Sequence, residues 1–405
     1  MMQIIKALYK ALMFTTLVLT TNLYSDEPVE EIVVKGKVLY SDQVTALKTP
    51  TAIIDVPQSL SIITDEEIRK QGIRELGDIV RYTPGVNTSQ GEGHRDSVVF
   101  RGVRSTADFY QDGARDDVQY YRSLYNVDQV EVLRGPNALL FGRGGTGGII
   151  NRVSKKAQIG ETFGSFDIGA DDFGAFDFAA DYNTTGDSTA LRINIHSDQL
   201  ENHRDSYDGD RTGFNPTLRI QMSDATTLDL SYEYVDHERF IDRGIPALNG
   251  KPYEPLKDVV FGTSAVNYQT AEADIFRATM TTDYSETSKG IFSVTSSEFE
   301  KLYQNLYAQR YDAADNTANT VRVDGYRDPT ERENLIVSAN LVNELQIGNT
   351  THTILFGAEL IDTDNKNERY DSYFSTTGTD REVFNIPSSM SGTLDISTNS
   401  AGVAT

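Results

Sequence analysis

The chain has 405 residues and a formal net charge of −23, from 37 Lys and Arg against 60 Asp and Glu. That balance argues against a nucleic-acid partner, because a phosphate backbone is held by an excess of Lys and Arg. Cysteine is missing, which excludes disulfide staples, thiolate zinc sites and cysteine nucleophiles. The 31 Gly, 21 Tyr and 18 Phe are compatible with a membrane β-barrel, whose alternating strands hide their apolar half from composition averages.

Residues 1–25 read as a secretory signal peptide. Lys6 and Lys10 precede the apolar run from Ala11 to Leu23, and Ser25 stands before the acidic "DEPVEE". The run is too short and too Thr-rich for a spanning helix, and no later stretch approaches the ~18 apolar residues that one needs. Residues 26–49 form a polar, acidic arm with one β-prone peptide, "EIVVKG" (Glu31 to Gly36).

Residues 50–155 mix short helices and strands. "TDEEIRKQGIRELGDIVRYTPG" is helical, with Thr64 and Glu67 spaced as a capping box. Ile68, Leu76, Ile79 and Val80 supply the apolar face. Gly72 predicts a break into two pieces, and Pro84-Gly85 a stop. "SVVFRGV" and "VDQVEVLRG" read as strands. "FGRGGTGG" (Phe141 to Gly148) has the G-x-G-x-x-G spacing of a dinucleotide loop, but that fingerprint needs a helix opening on its last glycine. Here the glycines run into the β-branched "IINRVSKK", so they are expected to allow tight bends and close backbone packing instead.

From about residue 161 the period becomes two. Leu191, Ile193 and Ile195 alternate with Arg192, Asn194 and His196; Leu228, Leu230 and Tyr232 alternate with Asp229, Ser231 and Glu233. The connection "SDAT" (Ser223 to Thr226) is tight, whereas residues 236–273 read as a long polar loop. Strands of roughly 10 residues with turns and long loops in alternation describe a membrane β-barrel with apolar side chains outward and polar ones inward. A soluble β-sandwich also alternates, but the signal peptide and the aromatic residues near the strand ends favour the barrel. A barrel that houses a plug needs about 22 strands, and residues 156–405 hold only nine or ten. The chain is therefore expected to be the N-terminal portion of a longer protein, with its barrel truncated.

The segments "EEIVVKG", "TPTAIIDVPQSLSIITDEEI", "DIVRYTPGV", "FRGV", "ADFYQDGARDD" and "YNVDQVEVLRGPNALLFGRGGTGGIINRVSKK", in that order, resemble a TonB-dependent outer-membrane siderophore receptor, most like those for ferric catecholates. The resemblance is dense over residues 30–200. It implies an antiparallel membrane β-barrel in the outer membrane of a Gram-negative bacterium, with an N-terminal α/β plug inside the lumen at residues 50–155. It also implies that residues 30–36 are a TonB box, whose Glu31, Ile32, Val33, Val34 and Lys35 pair with TonB as an added strand. Partners would then be TonB with its inner-membrane energising complex, a ferric siderophore and outer-membrane lipids. No cofactor is implied, iron(III) being carried only as the siderophore complex.

A ferric catecholate is anionic and aromatic, so its site needs cationic donors and flat rings. The resemblance places three plug loops outward, offering His94, Arg95, Arg104, Ser105, Thr106, Arg115, Gln119, Tyr120, Tyr121 and Arg122 as candidates. Arg101 and Arg134 are expected to lock the plug to barrel-wall carboxylates. Gly102, Gly135, Pro136, Gly142, Gly144, Gly145 and Gly147 are expected to serve the plug's bends and packing. Haem, cobalamin or a hydroxamate complex are alternative cargos, and a passive porin or adhesion barrel is an alternative class. A β-rich enzyme would need a nucleophile or metal constellation, and none is recognisable.

Overall fold

The computed structural model describes residues 56, 58–89, 91–135, 147–204, 206–311 and 319–387, with the backbone alone of 391–393 and 401–403. The chain divides into residues 1–41 and 42–405, and everything described belongs to the second unit. Outside the described residues lie the whole arm with Glu31, Ile32, Val33, Val34 and Lys35, and also Pro136, Gly142, Gly144 and Gly145.

The plug segment starts with β1 (Ser59–Thr64) and α1 (Asp65–Lys70). Thr64 caps α1: its hydroxyl accepts from Glu67 N while the Glu67 carboxylate accepts from Thr64 N, which is the expected capping box. The break falls where Gly72 adopts φ +61°, and α2 (Leu76–Arg81) follows. Then come β2 (Val86–Thr88), β3 (Val98–Phe100), β4 (Val103–Ser105), β5 (Phe109–Gln111), β6 (Ala114–Arg115), β7 (Val127–Arg134) and β8 (Gly148–Ser154). Five of these form a sheet in the order β1-β7-β8-β5-β6, in which β5 runs parallel to β8. β2, β3 and β4 form a small separate sheet. Ile68, Leu76, Ile79 and Val80 bury against Phe100, Phe109, Val130, Val132 and Ile150, one apolar core under both helices.

The remaining strands build a curved antiparallel sheet. Its long members are β9 (Phe163–Ala170), β10 (Phe176–Thr185), β11 (Thr189–Glu201), β12 (Asp208–Ser223) and β13 (Thr226–Phe240). After a hairpin, β14 (Ala247–Leu248) with β15 (Lys251–Pro252), and the short β16 (Asp258–Val260), come β17 (Tyr268–Ser285), β18 (Ser288–Arg310), β19 (Thr320–Ile347) and β20 (Thr350–Asn367). β21 (Tyr370–Phe374) and β22 (Arg381–Asn385) pair with β19, β23 (Ser391–Thr393) with β16, and β24 (Ala401–Val403) with β21. The sheet is open among the described residues, running from β9 to the strands beside β19.

Its sidedness is that of a membrane barrel. Arg192, Asn194 and His196 are buried, whereas Leu191 and Ile195, at alternate positions, are 38% and 37% exposed. Glu233 and Arg277 pair inside at 3.0 Å, while Phe276 and Met280 stand on the outer face. A polar interior and an apolar exterior invert the pattern of a soluble sandwich and suit strands with lipid outside. Tight turns at 186–188, 224–225, 286–287 and 348–349 mark one rim, and the longer connections mark the other.

Strand length departs from the expected ~10 residues that cross a bilayer. β13 runs on to Phe240 and β17 begins at Tyr268, so the loop is 241–267 rather than 236–273; β18 and β19 have 23 and 28 residues. The surplus carries its own apolar core at the long-loop rim. Leu256, Val259 and Phe261 of the loop pack there on Leu306, Val321, Val323, Phe374 and Phe384. The mouth is thus walled by packed structure.

Candidate functional site at the plug and barrel mouth

The loop 91–96 is held by the wall on several sides. The His94 ring is buried and stacks on Tyr303, with centroids 3.8 Å apart. Tyr303 Oη donates to the Glu92 carbonyl at 2.9 Å, and Tyr326 Oη and Arg95 Nη1 both donate to the Glu92 carboxylate. Gly93 sits at φ +77°, and a Cβ there would meet the Asp242 carbonyl at 3.2 Å, so the loop can approach the 241–267 connection this closely only as glycine. Burial pushes the His94 imidazole down to about 4, against the pull of the Glu92 hydrogen bond. Hydrogen bonds from His94, Tyr326 and Arg95 hold the Glu92 carboxyl well below its ordinary range despite its burial.

Around this loop the wall supplies guanidinium groups on aromatic rings. Arg243 lies 3.8 Å above the Tyr307 ring, and Arg369 lies 4.1 Å above Tyr326, fixed by Asp328 at 2.8 Å. The rings come from the long-loop ends of β18 and β19, and the arginines from the connections after β13 and β20, beyond the alternating stretches that the sequence made legible. Their signal, Tyr303, Tyr307 and Tyr326 amid polar residues, was visible only as composition.

The remaining candidates separate into two sets. Ser105, Thr106, Arg115 and Gln119 are brought together: Ser105 Oγ accepts from Ala107 N and Asp108 N, Gln119 Nε2 reaches Thr106 Oγ1 at 3.5 Å, and Arg115 donates to the Ala107 carbonyl at 3.1 Å. Arg104, on β4, is exposed. Tyr120, Tyr121 and Arg122 are buried and offer no face to a ligand in this structure, which corrects their expected outward placement. Arg122 instead ties the plug together, its Nε on Asp116 at 2.8 Å, Nη1 on Asp96 at 3.3 Å and Nη2 on the carbonyls of Asp116 and Val118. Tyr120 packs on Phe299 of the wall, and Tyr121 lies under Arg239 at 3.8 Å. His94 is likewise sealed in, stacked as described. Arg152, which the sequence showed only as part of a strand, joins this knot through Asp116 at 2.7 Å and Gln111 at 2.9 Å.

Among the described residues, neither Arg101 nor Arg134 pairs with a wall carboxylate. Arg134 donates to the carbonyls of Pro84 and Ser59 within the plug, and Arg101 is an exposed turn residue at φ +45°. Plug carboxylates serve at the interface instead. Asp117 pairs with Arg332 at 2.6 Å, and Glu75 lies 3.3 Å from Arg239 and 3.8 Å from Arg211. Burial alone would raise the Glu75 carboxyl, but Arg239 and Arg211 outweigh it and hold the group below its ordinary range. Cationic ties run the other way, Arg74 to Asp177 and Lys155 to Asp181. Gly102 and Gly135 take φ +91° and +114°, as bends require, and a Cβ on Gly147 would come within 2.8 Å of Phe100 Cβ. Among the described residues no group of three His, Asp or Glu side chains is placed to hold a metal ion.

Comparison with known proteins agrees with this architecture. Residues 52–149 match the TonB-dependent Receptor Plug Domain. The chain is 28% identical to the probable TonB-dependent siderophore receptor PiuA of Acinetobacter baumannii, over 58% of this chain and 33% of that protein. It is 30% identical to the catecholate siderophore receptor Fiu of Escherichia coli K12, over 57% of this chain and 31% of that protein. The crystal structure of PiuA superposes with a TM-score of 0.75 at 25% identity, covering 84% of this chain and 50% of PiuA. The chain thus spans about a third of the length of the curated relatives it matches. It carries a TonB-dependent receptor plug domain at residues 52–149, and the strands that follow are similar to part of the barrel of TonB-dependent siderophore receptors.

Proposed function

We propose that this chain forms the plug and part of the barrel of an outer-membrane receptor that binds a ferric siderophore at its mouth and imports it by TonB-driven movement of the plug. The cargo class is ferric catecholate. The observation that carries this reading is the pairing of Arg243 with Tyr307 and of Arg369 with Tyr326 beside the plug loop 91–96. Guanidinium groups seated on rings offer an anionic, aromatic complex both charge and a stacking face. Arg104 adds an exposed cation from the plug. The similarity to Fiu, named for catecholate siderophores, supports the same class. Covalent chemistry has no part in the proposal, and the energy comes through the arm at Glu31 to Lys35. Haem, cobalamin and hydroxamate complexes remain the competing cargos, and a passive pore the competing class.

Binding of a panel of ferric siderophores to the complete receptor tests it. Ferric catecholates should bind most tightly, and Arg243→Ala with Arg369→Ala should weaken them about tenfold, the loss expected of charge-assisted contacts. Preference for a hydroxamate, or indifference to both substitutions, contradicts the assignment.

A further inference from the structure

Arg243 reaches the mouth from the start of the connection 241–267, which holds only short elements of its own. Long connections are where a chain keeps most conformational freedom, yet a guanidinium serves an anionic cargo best when it is already aimed. Apolar packing supplies part of the anchorage. Ile241 is fully buried beside Tyr303 and Tyr326, and Ile245 packs on the rim core that contains Leu256, Val259 and Phe261. Such contacts are non-directional, so they seat the backbone on the rim without fixing where the side chain between them points.

The direction is fixed by a polar arrangement centred on Asp242. Its Oδ1 accepts from Gly244 N at 2.8 Å, closing an Asx turn with Arg243 at the middle position, and Gly244 takes φ +75°. Its Oδ2 accepts from Arg204 Nε at 2.6 Å. Arg204 belongs to a different connection, the one between β11 and β12, where its own N donates to Asn202 Oδ1 at 2.8 Å. Its Nη1 donates to the Lys257 carbonyl, and its Nη2 to the Val259 carbonyl at 2.9 Å. One guanidinium therefore ties the start of the 241–267 connection to its far half, which the rim core anchors.

The two arginines are used differently. Arg243 lies on the Tyr307 ring and gives Nη1 to Asn305 at 3.0 Å, but its Nη2 comes no closer than 4.0 Å to the Glu92 carboxylate. Arg243 thus keeps Nη2 for a ligand, whereas every nitrogen of the Arg204 guanidinium already serves the brace. Removing Arg204 leaves the Asp242 carboxylate without this charge-assisted bond, free to turn to water and release the Asx turn around Arg243.

We propose that Arg204 is a positioning residue for cargo binding: it holds Arg243 preset over Tyr307 to receive the anionic ferric complex, without touching the complex. The role rests on the siderophore reading of the mouth and deepens it. With the brace, Arg243 and its turn are ordered during folding; without it, that ordering falls to the binding step and weakens it. A cation that merely added to the field of the mouth would act whether or not Arg243 were present. A brace acts only through Arg243.

Binding of ferric tris-catecholate to the complete receptor, measured through double-mutant cycles, separates the two. Arg204→Ala should weaken binding about fivefold, the cost of ordering one long side chain at an interface. In the Arg243→Ala receptor the same change should have no further effect, whereas in Arg369→Ala it should weaken binding about fivefold again. Asp242→Asn should match Arg204→Ala and, combined with it, add nothing. Should Arg204→Ala fail to fold, Asp242→Asn carries the same comparisons. A weakened Arg243→Ala beside an unaffected Arg204→Ala overturns this role alone, as does a loss from Arg204→Ala that persists in the Arg243→Ala receptor. An unaltered receptor that binds no ferric catecholate, or an Arg243→Ala receptor that binds it undiminished, overturns the mouth assignment and this role with it.

Discussion

Arg122 and His94 carry the account at the scale of single residues. The Arg122 guanidinium satisfies two carboxylates and three carbonyls in the plug interior. Replacing it by Met strands Asp96 without a counter-charge and leaves Asp116 to Arg152 alone, a loss of roughly 3–5 kcal/mol for a broken buried pair. Limited proteolysis of Arg122→Met should therefore cut within the plug under conditions that spare the unaltered protein; equal resistance contradicts the tie. His94 predicts a pH effect. Its folded value of about 4 lies below the ordinary 6.5, so the unfolded loop binds protons that the folded loop refuses. The stability it contributes is complete above about 6.5 and falls as pH drops from there toward 4, at about 1.4 kcal/mol per unit. Amide exchange over residues 91–96 should quicken across that window, and His94→Phe, which keeps a ring on Tyr303, should flatten the response. The sequence could name these residues but not orient them. An Arg beside two tyrosines reads the same whether it faces a ligand or the carboxylates of Asp96 and Asp116.

At the scale of elements, the period-two alternation was legible because lipid outside and plug inside sort side chains face by face. Leu191 and Ile195 lie outward and Arg192, Asn194 and His196 inward, as the pattern required. The helices were legible for a local reason, a capping box at one end and a left-handed glycine between them. Strand ends were not, because β13, β17, β18 and β19 continue past the bilayer on polar residues that read as loop. The lipid-facing assignment predicts that Ile195→Arg costs up to about 2–4 kcal/mol, the penalty of a cation on the outer face near mid-bilayer. The measurement is unfolding of the complete barrel from lipid vesicles. A cost below about 0.5 kcal/mol, the usual size for a plain surface change, would mean that the row does not face lipid.

At the scale of the whole molecule, the plug and wall are joined by charge pairs of both directions. Glu75, Glu92 and Asp117 reach out to wall arginines and tyrosines, and Arg74 and Lys155 reach wall carboxylates. Arg101 and Arg134, expected on wall acids, take no part in these pairs, because pairing across an interface depends on which strands curl against which loop. Opening such a joint needs work from outside it, and the proposed function assigns that work to TonB pulling on the arm. The most direct measurement is uptake of labelled ferric catecholate by cells carrying the complete receptor with Glu31 to Lys35 deleted, read beside binding to the same cells. Binding should be normal, with uptake reduced to the level of cells lacking the receptor. Uptake that survives the deletion would contradict it.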